Sequence, residues 1–253
     1  MRVCVLSSGS KGNCTYVEVN NYKILIDIGT SSLYVENALR SINVEPKSIN
    51  LILITHAHVD HVSGLRVFSK KYKTLTYISK KILKEANLVE ENYNILDNLN
   101  DIKDIKITEI ELSHDVTDIK GYIIEYNSSS IVYITDTGYI NEKYYNILTN
   151  KNIYVFESNH DVQKLMNNPK YPHYTKIRIL GDKGHLSNND SAYYLSKLIG
   201  NNTKKVILAH LSEQNNTDSL ALETLKNTLK QKNIDFNDIV IAHQNEKTEV
   251  FSA

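Results

Sequence analysis

Cysteine is nearly missing: Cys4 and Cys14 are the only two in 253 residues. That is too few for a disulfide scaffold or a cysteine-rich zinc site, so both are expected as small buried thiols. Excess charge is missing as well, because 29 Lys plus Arg balance 29 Asp plus Glu. Proteins that coat nucleic acid by bulk charge are strongly basic, so any such contact here needs a local basic patch. Long hydrophobic runs are also lacking. No apolar run exceeds four residues, as at Leu51–Ile54, whereas a membrane-spanning helix needs about 20. No secretory hydrophobic stretch follows Met1, and a reducing cytoplasm is the expected compartment. Flexible linkers and short-period repeats are not seen either. The composition, 41% hydrophobic and 23% charged, is that of a folded chain. One compact domain over residues 1–253 is expected.

What is present is a series of short strands with helices between some of them. Val3–Leu6, Thr15–Val19 and Lys23–Ile26 read as strands, the last two joined by an Asn20-Asn21 hairpin turn. Leu33–Ile42 reads as a helix that ends before Glu45-Pro46. The apolar run Ile49–Ile54, broken only at Asn50, suggests a strand buried on both faces, and Thr74–Ile78 another strand. Further strands are expected at Ile105–Leu112, Gly121–Tyr126, Ile131–Thr135, Ile153–Phe156, Val206–Ala209 and Ile239–Ala242. Helices are expected at Asn188–Ile199 and Ser219–Lys232, the latter with Leu222, Leu225 and Leu229 on one face. Strands and helices in both halves fit an α/β chain with two sheets face to face and helices outside.

The chemistry concentrates in Thr55-His56-Ala57-His58-Val59-Asp60-His61, directly after the buried strand. Imidazole and carboxylate are ligands for borderline cations such as Zn²⁺ or Mn²⁺. His56 and His58, two apart on extended chain, project to the same side. Asp60 and His61 follow where the chain should enter a helix, and so point elsewhere. One segment can thus supply two ligands to each of two adjacent ions. The remaining ligands should sit at other strand ends, where a rigid edge fixes their geometry. His114, Asp136 and His210 each follow an apolar strand and precede a polar loop, and Asp27 ends Ile24–Ile26 in the same manner. The small-residue turn Ser7–Asn13 lets backbone N–H groups approach an anion, which makes Ser8, Ser10 and Asn13 candidate substrate contacts.

The motif His56-Ala57-His58-Val59-Asp60-His61, with Asp27 upstream and His114, Asp136 and His210 downstream, resembles the metallo-β-lactamase superfamily over essentially the whole chain. The resemblance implies a four-layer αββα sandwich of two mixed sheets with a two-metal site at one edge. It implies His56, His58 and His114 on one ion, Asp60, His61 and His210 on the other, Asp136 bridging them, and Asp27 orienting a ligand. Leu6–Asn13, Glu157-Ser158-Asn159-His160-Asp161, Gly184-His185-Leu186-Ser187-Asn188 and Ala209-His210-Leu211-Ser212 are together similar to the YycJ/WalJ-type bacterial metallo-hydrolases. That family is associated with 5′-to-3′ exonuclease activity on DNA. The large inserted domain of the related β-CASP enzymes is missing.

The expected activity is phosphodiester hydrolysis with a water ionised by two divalent ions (zinc, manganese or iron). Asp60 is expected beside that water. His185 or His160 is the expected general acid, oriented by Glu157. DNA, or RNA, is the expected substrate. The same site chemistry would serve hydrolysis of a small ester, thioester or lactam. A non-catalytic regulatory protein would instead need one closed four-ligand structural site, and seven candidate ligands exceed that. Arg66, Lys70, Lys71, Lys73, Lys80, Lys81 and Lys84 form a run without an intervening acid, and Lys164, Lys170, Lys176, Arg178 and Lys183 form a second basic stretch. Beside the metal edge, such stretches can follow a nucleic-acid backbone, and Tyr171 and Tyr174 can stack on bases.

Overall fold

The computed structural model describes residues 1–102 and 104–253. The first sheet contains β1 (Arg2–Ser7), β2 (Cys14–Val19), β3 (Tyr22–Ile26), β4 (Leu51–Leu53), β5 (Leu75–Tyr77) and β6 (Asn94–Ile95). The second contains β7 (Lys106–Glu111), β8 (Lys120–Tyr126), β9 (Ser129–Ile134), β10 (Ile153–Glu157), β11 (Lys205–Ala209) and β12 (Ile239–Ile241), while β13 (Phe251–Ser252) returns to the edge of the first. The strand orders are β13-β1-β2-β3-β4-β5-β6 and β12-β11-β10-β9-β8-β7. Both sheets are mixed. β1, β2 and β3 pair antiparallel and β3, β4 and β5 parallel. Likewise β7, β8 and β9 are antiparallel and β9, β10, β11 and β12 parallel.

The period-2 alternation of each strand explains why its residues are nearly all apolar: both faces are covered. Val3, Val5, Ile24, Ile26, Leu51 and Leu53 face Tyr122, Ile124, Ile131, Ile153, Val155 and Ile207 across the space between the sheets. The alternate residues of the first sheet, Leu6, Leu25, Ile52 and Ile54, pack under α1 (Ser32–Ser41) and, past α2 (Val59–Val62), under α3 (Leu65–Tyr72) and α4 (Lys80–Glu85). In the second half come α5 (Tyr145–Leu148), α6 (Val162–Asn167), α7 (His173–Leu180) and α8 (Asn188–Leu198). The outer face of the second sheet, with Val132, Tyr154, Phe156, Val206 and Leu208, is covered chiefly by α8 and by α9 (Asp218–Gln231). The result is the expected αββα sandwich.

The Asn20-Asn21 hairpin forms with both residues at left-handed φ, 47° and 66°, which matches a two-residue turn to strand twist. The strand expected over residues 49–54 is shorter, Leu51–Leu53, because Pro46–Ser48 makes a 3₁₀ turn before it. On α9 the buried stripe is Ala221, Leu225 and Leu229. Ala221 replaces Leu222, since spacing by four residues holds the inward face. β6, β13 and the helices α3 to α7 were not foreseen. The two-residue β13 exists only through its partner β1, and α7 buries none of its residues, so it carries no core-facing period. Among the described residues, no helix is long and apolar enough to cross a membrane.

Candidate metal centre

The parallel strands of both sheets end at one edge, where ligands bind in open α/β sheets. Asp27 follows β3, Thr55 and His56 come shortly after β4, Asp136 follows β9, Glu157 ends β10 and His210 follows β11. Asp27, Asp136 and His210 take left-handed φ values of 61°, 59° and 57°. Outside glycine this conformation costs about 1–2 kcal/mol per residue. Three occurrences at one edge mean that the surrounding packing holds the chain there. The reversal turns each side chain back over the strand ends.

The sequence-predicted ligands converge. The ligand atoms of His56, His58 and His114 lie within 4.8 Å of one another, and so do those of Asp60, His61 and His210. Asp136 lies between the groups: its Oδ2 is 3.3 Å from His61 Nε2 and its Oδ1 is 3.3 Å from His210 Nδ1. Each of four rings is fixed through one nitrogen. His61 Nδ1 donates to Asp27 Oδ2 at 2.7 Å, His210 Nδ1 to Glu157 Oε1 at 2.9 Å and His114 Nδ1 to the Gly184 carbonyl at 3.0 Å. His56 Nδ1 lies 3.0 Å from Thr55 Oγ1. A carboxylate or carbonyl only accepts, so it selects the tautomer that leaves Nε2 with a lone pair. His56 Nε2, His210 Nε2 and Asp136 Oδ2 are buried without a hydrogen-bond partner. Buried polar atoms left unpaired are costly. Imidazole nitrogen and carboxylate oxygen aimed at one another across a gap are the donor set of a divalent cation, and these residues fit one.

Charge at the site is strongly coupled. Burial disfavours the charged form of His61, but Asp136, Asp27 and Asp60 outweigh it and hold its pKa well above the usual imidazole value. For His210, burial is likewise overcome, by Asp136, Asp60 and Glu157, and the pKa rises to about 10. Burial works against the Glu157 carboxylate, yet His185 and His210 hold it down at about 2. At His56 burial dominates, with His61 adding repulsion, and the pKa falls well below the usual value.

His185 stands at the open side. Its side chain is 20% exposed, and its Nδ1 lies 2.9 Å from Glu157 Oε1. Its ring centroid is 4.9 Å from that of His114 and 5.3 Å from that of His210. Glu157 Oε2 accepts from the Thr137 and Leu186 amides, both at 3.0 Å, so its carboxylate is fully engaged. His160 is different: it is 1% exposed, and burial, with His185 next, lowers its pKa to about 4.

The turn residues point inward more than expected. Ser8 is buried and its Oγ accepts from the His210 amide at 2.7 Å. Asn13 is buried too, with Nδ2 3.2 Å from Asp60 Oδ2 and 3.0 Å from His61 Nε2. Both side chains are thus committed to the ligand-bearing turns, and of the three only Ser10 is exposed. Their shared reason is close packing: a Cβ on Gly29 would come within 1.6 Å of the Asp60 carbonyl, so loop 7–13 and the 56–61 turn meet over a glycine.

Two supporting groups carried no separate sequence signal. Thr55 donates from its amide and hydroxyl to the two Asp27 oxygens, both at 2.8 Å. Its position directly before His56 is the one hint available. Asp115 Oδ1 lies 3.2 Å from His114 Nε2, and Arg178 Nε donates to Asp115 Oδ2 at 2.6 Å. These residues are 63 apart in sequence.

The sequence profile of the Metallo-beta-lactamase superfamily matches residues 8–210. The chain is 36% identical over 239 residues to the exodeoxyribonuclease WalJ of Streptococcus pneumoniae, covering 91% of this chain and 88% of that protein. It is 34% identical over 235 residues to the exodeoxyribonuclease YycJ of Bacillus anthracis, with 90% and 89% covered. The crystal structure of the metallo-beta-lactamase fold protein YhfI from Bacillus subtilis superposes with a TM-score of 0.72 at 14% identity, over 98% of both chains. The chain therefore belongs to the metallo-β-lactamase superfamily, in the branch that contains WalJ and YycJ.

Proposed function

We propose that this protein is a metal-dependent phosphodiester hydrolase that degrades DNA from the 5′ end towards the 3′ end. The observation that carries the reading is the pair of ligand triads joined at Asp136, with His185 standing over both. The names of the WalJ and YycJ relatives, aligned over nine-tenths of the chain, supply the substrate class. His56, His58 and His114 would hold one divalent ion and Asp60, His61 and His210 a second, with Asp136 available to them; zinc and manganese suit these donors. Such ions, when bound, make an ionised water available near neutral pH and offset the charge developing on phosphate oxygens.

The residues do the rest. Glu157 accepts from His185 Nδ1 and keeps that ring turned with Nε2 towards the open side. His185 delivers a proton from Nε2 to the leaving oxygen. His160 is unsuited to this step, because burial keeps it neutral at pH 7 and inside the fold. Asp27 and Thr55 hold His61 in one tautomer.

A time course on end-labelled single- and double-stranded DNA, with Zn²⁺ and Mn²⁺ compared, tests the reading. Stepwise loss of 5′ label by the parent and none by His58→Ala is expected. Equal cleavage by His58→Ala would reject it. A second expectation concerns protons. Neighbouring carboxylates raise the His210 pKa to about 10 and hold that of His61 well above the usual imidazole value, so both rings favour the protonated form without metal. A cation needs those lone pairs. Metal uptake should therefore release protons and tighten as pH rises. Calorimetry in buffers of different ionisation enthalpy measures this; an apparent enthalpy independent of buffer would contradict it.

A further inference from the structure

α2 and α3 are separate helices: the Gly64 amide donates to the Ile28 carbonyl at 2.9 Å and the His61 carbonyl accepts from the Ile28 amide at 3.0 Å, which interrupts the helical ladder between them. On α3 and its cap, Arg66, Lys70 and Lys73 follow one another at steps of four and three residues, and so share one face. All three are exposed, as is Val59, by 75%, between the candidate ligands His58 and Asp60. At 1.5 Å per residue this stripe of cations spans about 10 Å.

Its charges are left unpaired while a neighbour is not. Lys71, off the stripe, pairs with Glu36 at 2.7 Å. Among the described residues, no carboxylate forms an ion pair with Arg66, Lys70 or Lys73. The sequence supplies no acid between Asp60 and Glu85. Like charges four apart on a helix repel, and an anion lying along the stripe removes that repulsion. A row of cations spaced one helical turn apart, on the helix that follows the ligand-bearing segment, fits a polyanion whose charges are evenly spaced. Val59 adds an apolar contact for a sugar or base at the site end.

We infer that this stripe is a track for the phosphodiester backbone of the nucleic acid, leading it across α3 to the metal edge. The inference rests on the hydrolase reading above and adds the surface that grips substrate. Its test is a triple variant, Arg66→Gln/Lys70→Gln/Lys73→Asn; Asn suits the left-handed φ of 54° at Lys73. The metal-loaded variant should hydrolyse bis(p-nitrophenyl) phosphate like the parent, because that ester is too short to reach the track. On DNA its KM should rise about tenfold or more, and the slope of log kcat/KM against log salt should flatten by about 2, at roughly 0.7 per lost phosphate contact on single strands. A control, Lys226→Gln/Lys230→Gln/Lys232→Gln at α9, removes the same charge and should leave both unchanged. Parent-like KM and slope in the stripe variant, or equal shifts in the control, overturn the track. If the parent hydrolyses neither substrate, the hydrolase reading falls instead. Anisotropy titration of the same DNA then decides the track by the same difference in slope.

Discussion

Asp136→Asn is expected to reduce turnover on DNA about a thousandfold and to lower the retained metal. The carboxylate stands 3.3 Å from both His61 and His210. Burial opposes its charge, but His210 and His61 hold its pKa well below the usual carboxylate range, so it contributes a full negative charge where both triads meet. An amide keeps the shape and loses the charge. Transition-state stabilisation by a bound cation amounts to several kcal/mol, and losing about 4 kcal/mol of it is a factor of about 10³. Asn is the informative substitution, because it tolerates the left-handed φ of 59° at this position; Ala would add backbone strain. Elemental analysis of purified protein, circular dichroism and kcat on labelled DNA are the measurements. An intact fold with parent metal content and parent turnover would remove Asp136 from the centre.

The second large effect is a loss of about 10²- to 10⁴-fold for His185→Ala, the usual range for a general acid, with metal content unchanged. The ring makes no contact that fixes a triad: its Nδ1 is held by Glu157 at 2.9 Å and lies 3.7 Å from Asp136. A pure proton donor has a signature that a structural residue lacks. Its removal matters little when the leaving group needs no proton, so His185→Ala should act on bis(p-nitrophenyl) phosphate nearly as well as the parent. An equal loss on both substrates would assign His185 to holding the site. Glu157 is a positioning residue in this scheme, since it reaches substrate only through His185 and His210.

Much of the fold was legible because the strands advertise themselves. Ile24–Ile26, Ile131–Ile134 and Val206–Ala209 are short apolar runs ending at an acid or a histidine, and each proved to be a strand whose end lies at the site edge. The helix α7 was not legible, because it buries nothing and so imposes no period on its residues. Ser8 and Asn13 illustrate a different limit. A small-residue loop reads alike whether its polar groups meet substrate or protein. Only the approach of loop 7–13 to the 56–61 turn over Gly29 shows that Ser8 serves His210 and Asn13 serves Asp60 and His61.

By itself, the sequence determined the candidate ligand types and which of them neighbour one another along the chain, because covalent spacing within residues 56–61 and the strand-end positions of His114, Asp136 and His210 are local properties. Tertiary structure decided which nitrogen of each ring is free, which carboxylate holds it, and which of His160 and His185 faces outward. Those outcomes depend on partners such as Asp27 for His61 and Glu157 for His210, 34 and 53 residues away. Contacts across such separations exist only once β3 has paired with β4 and β10 with β11, bringing their ends to one edge.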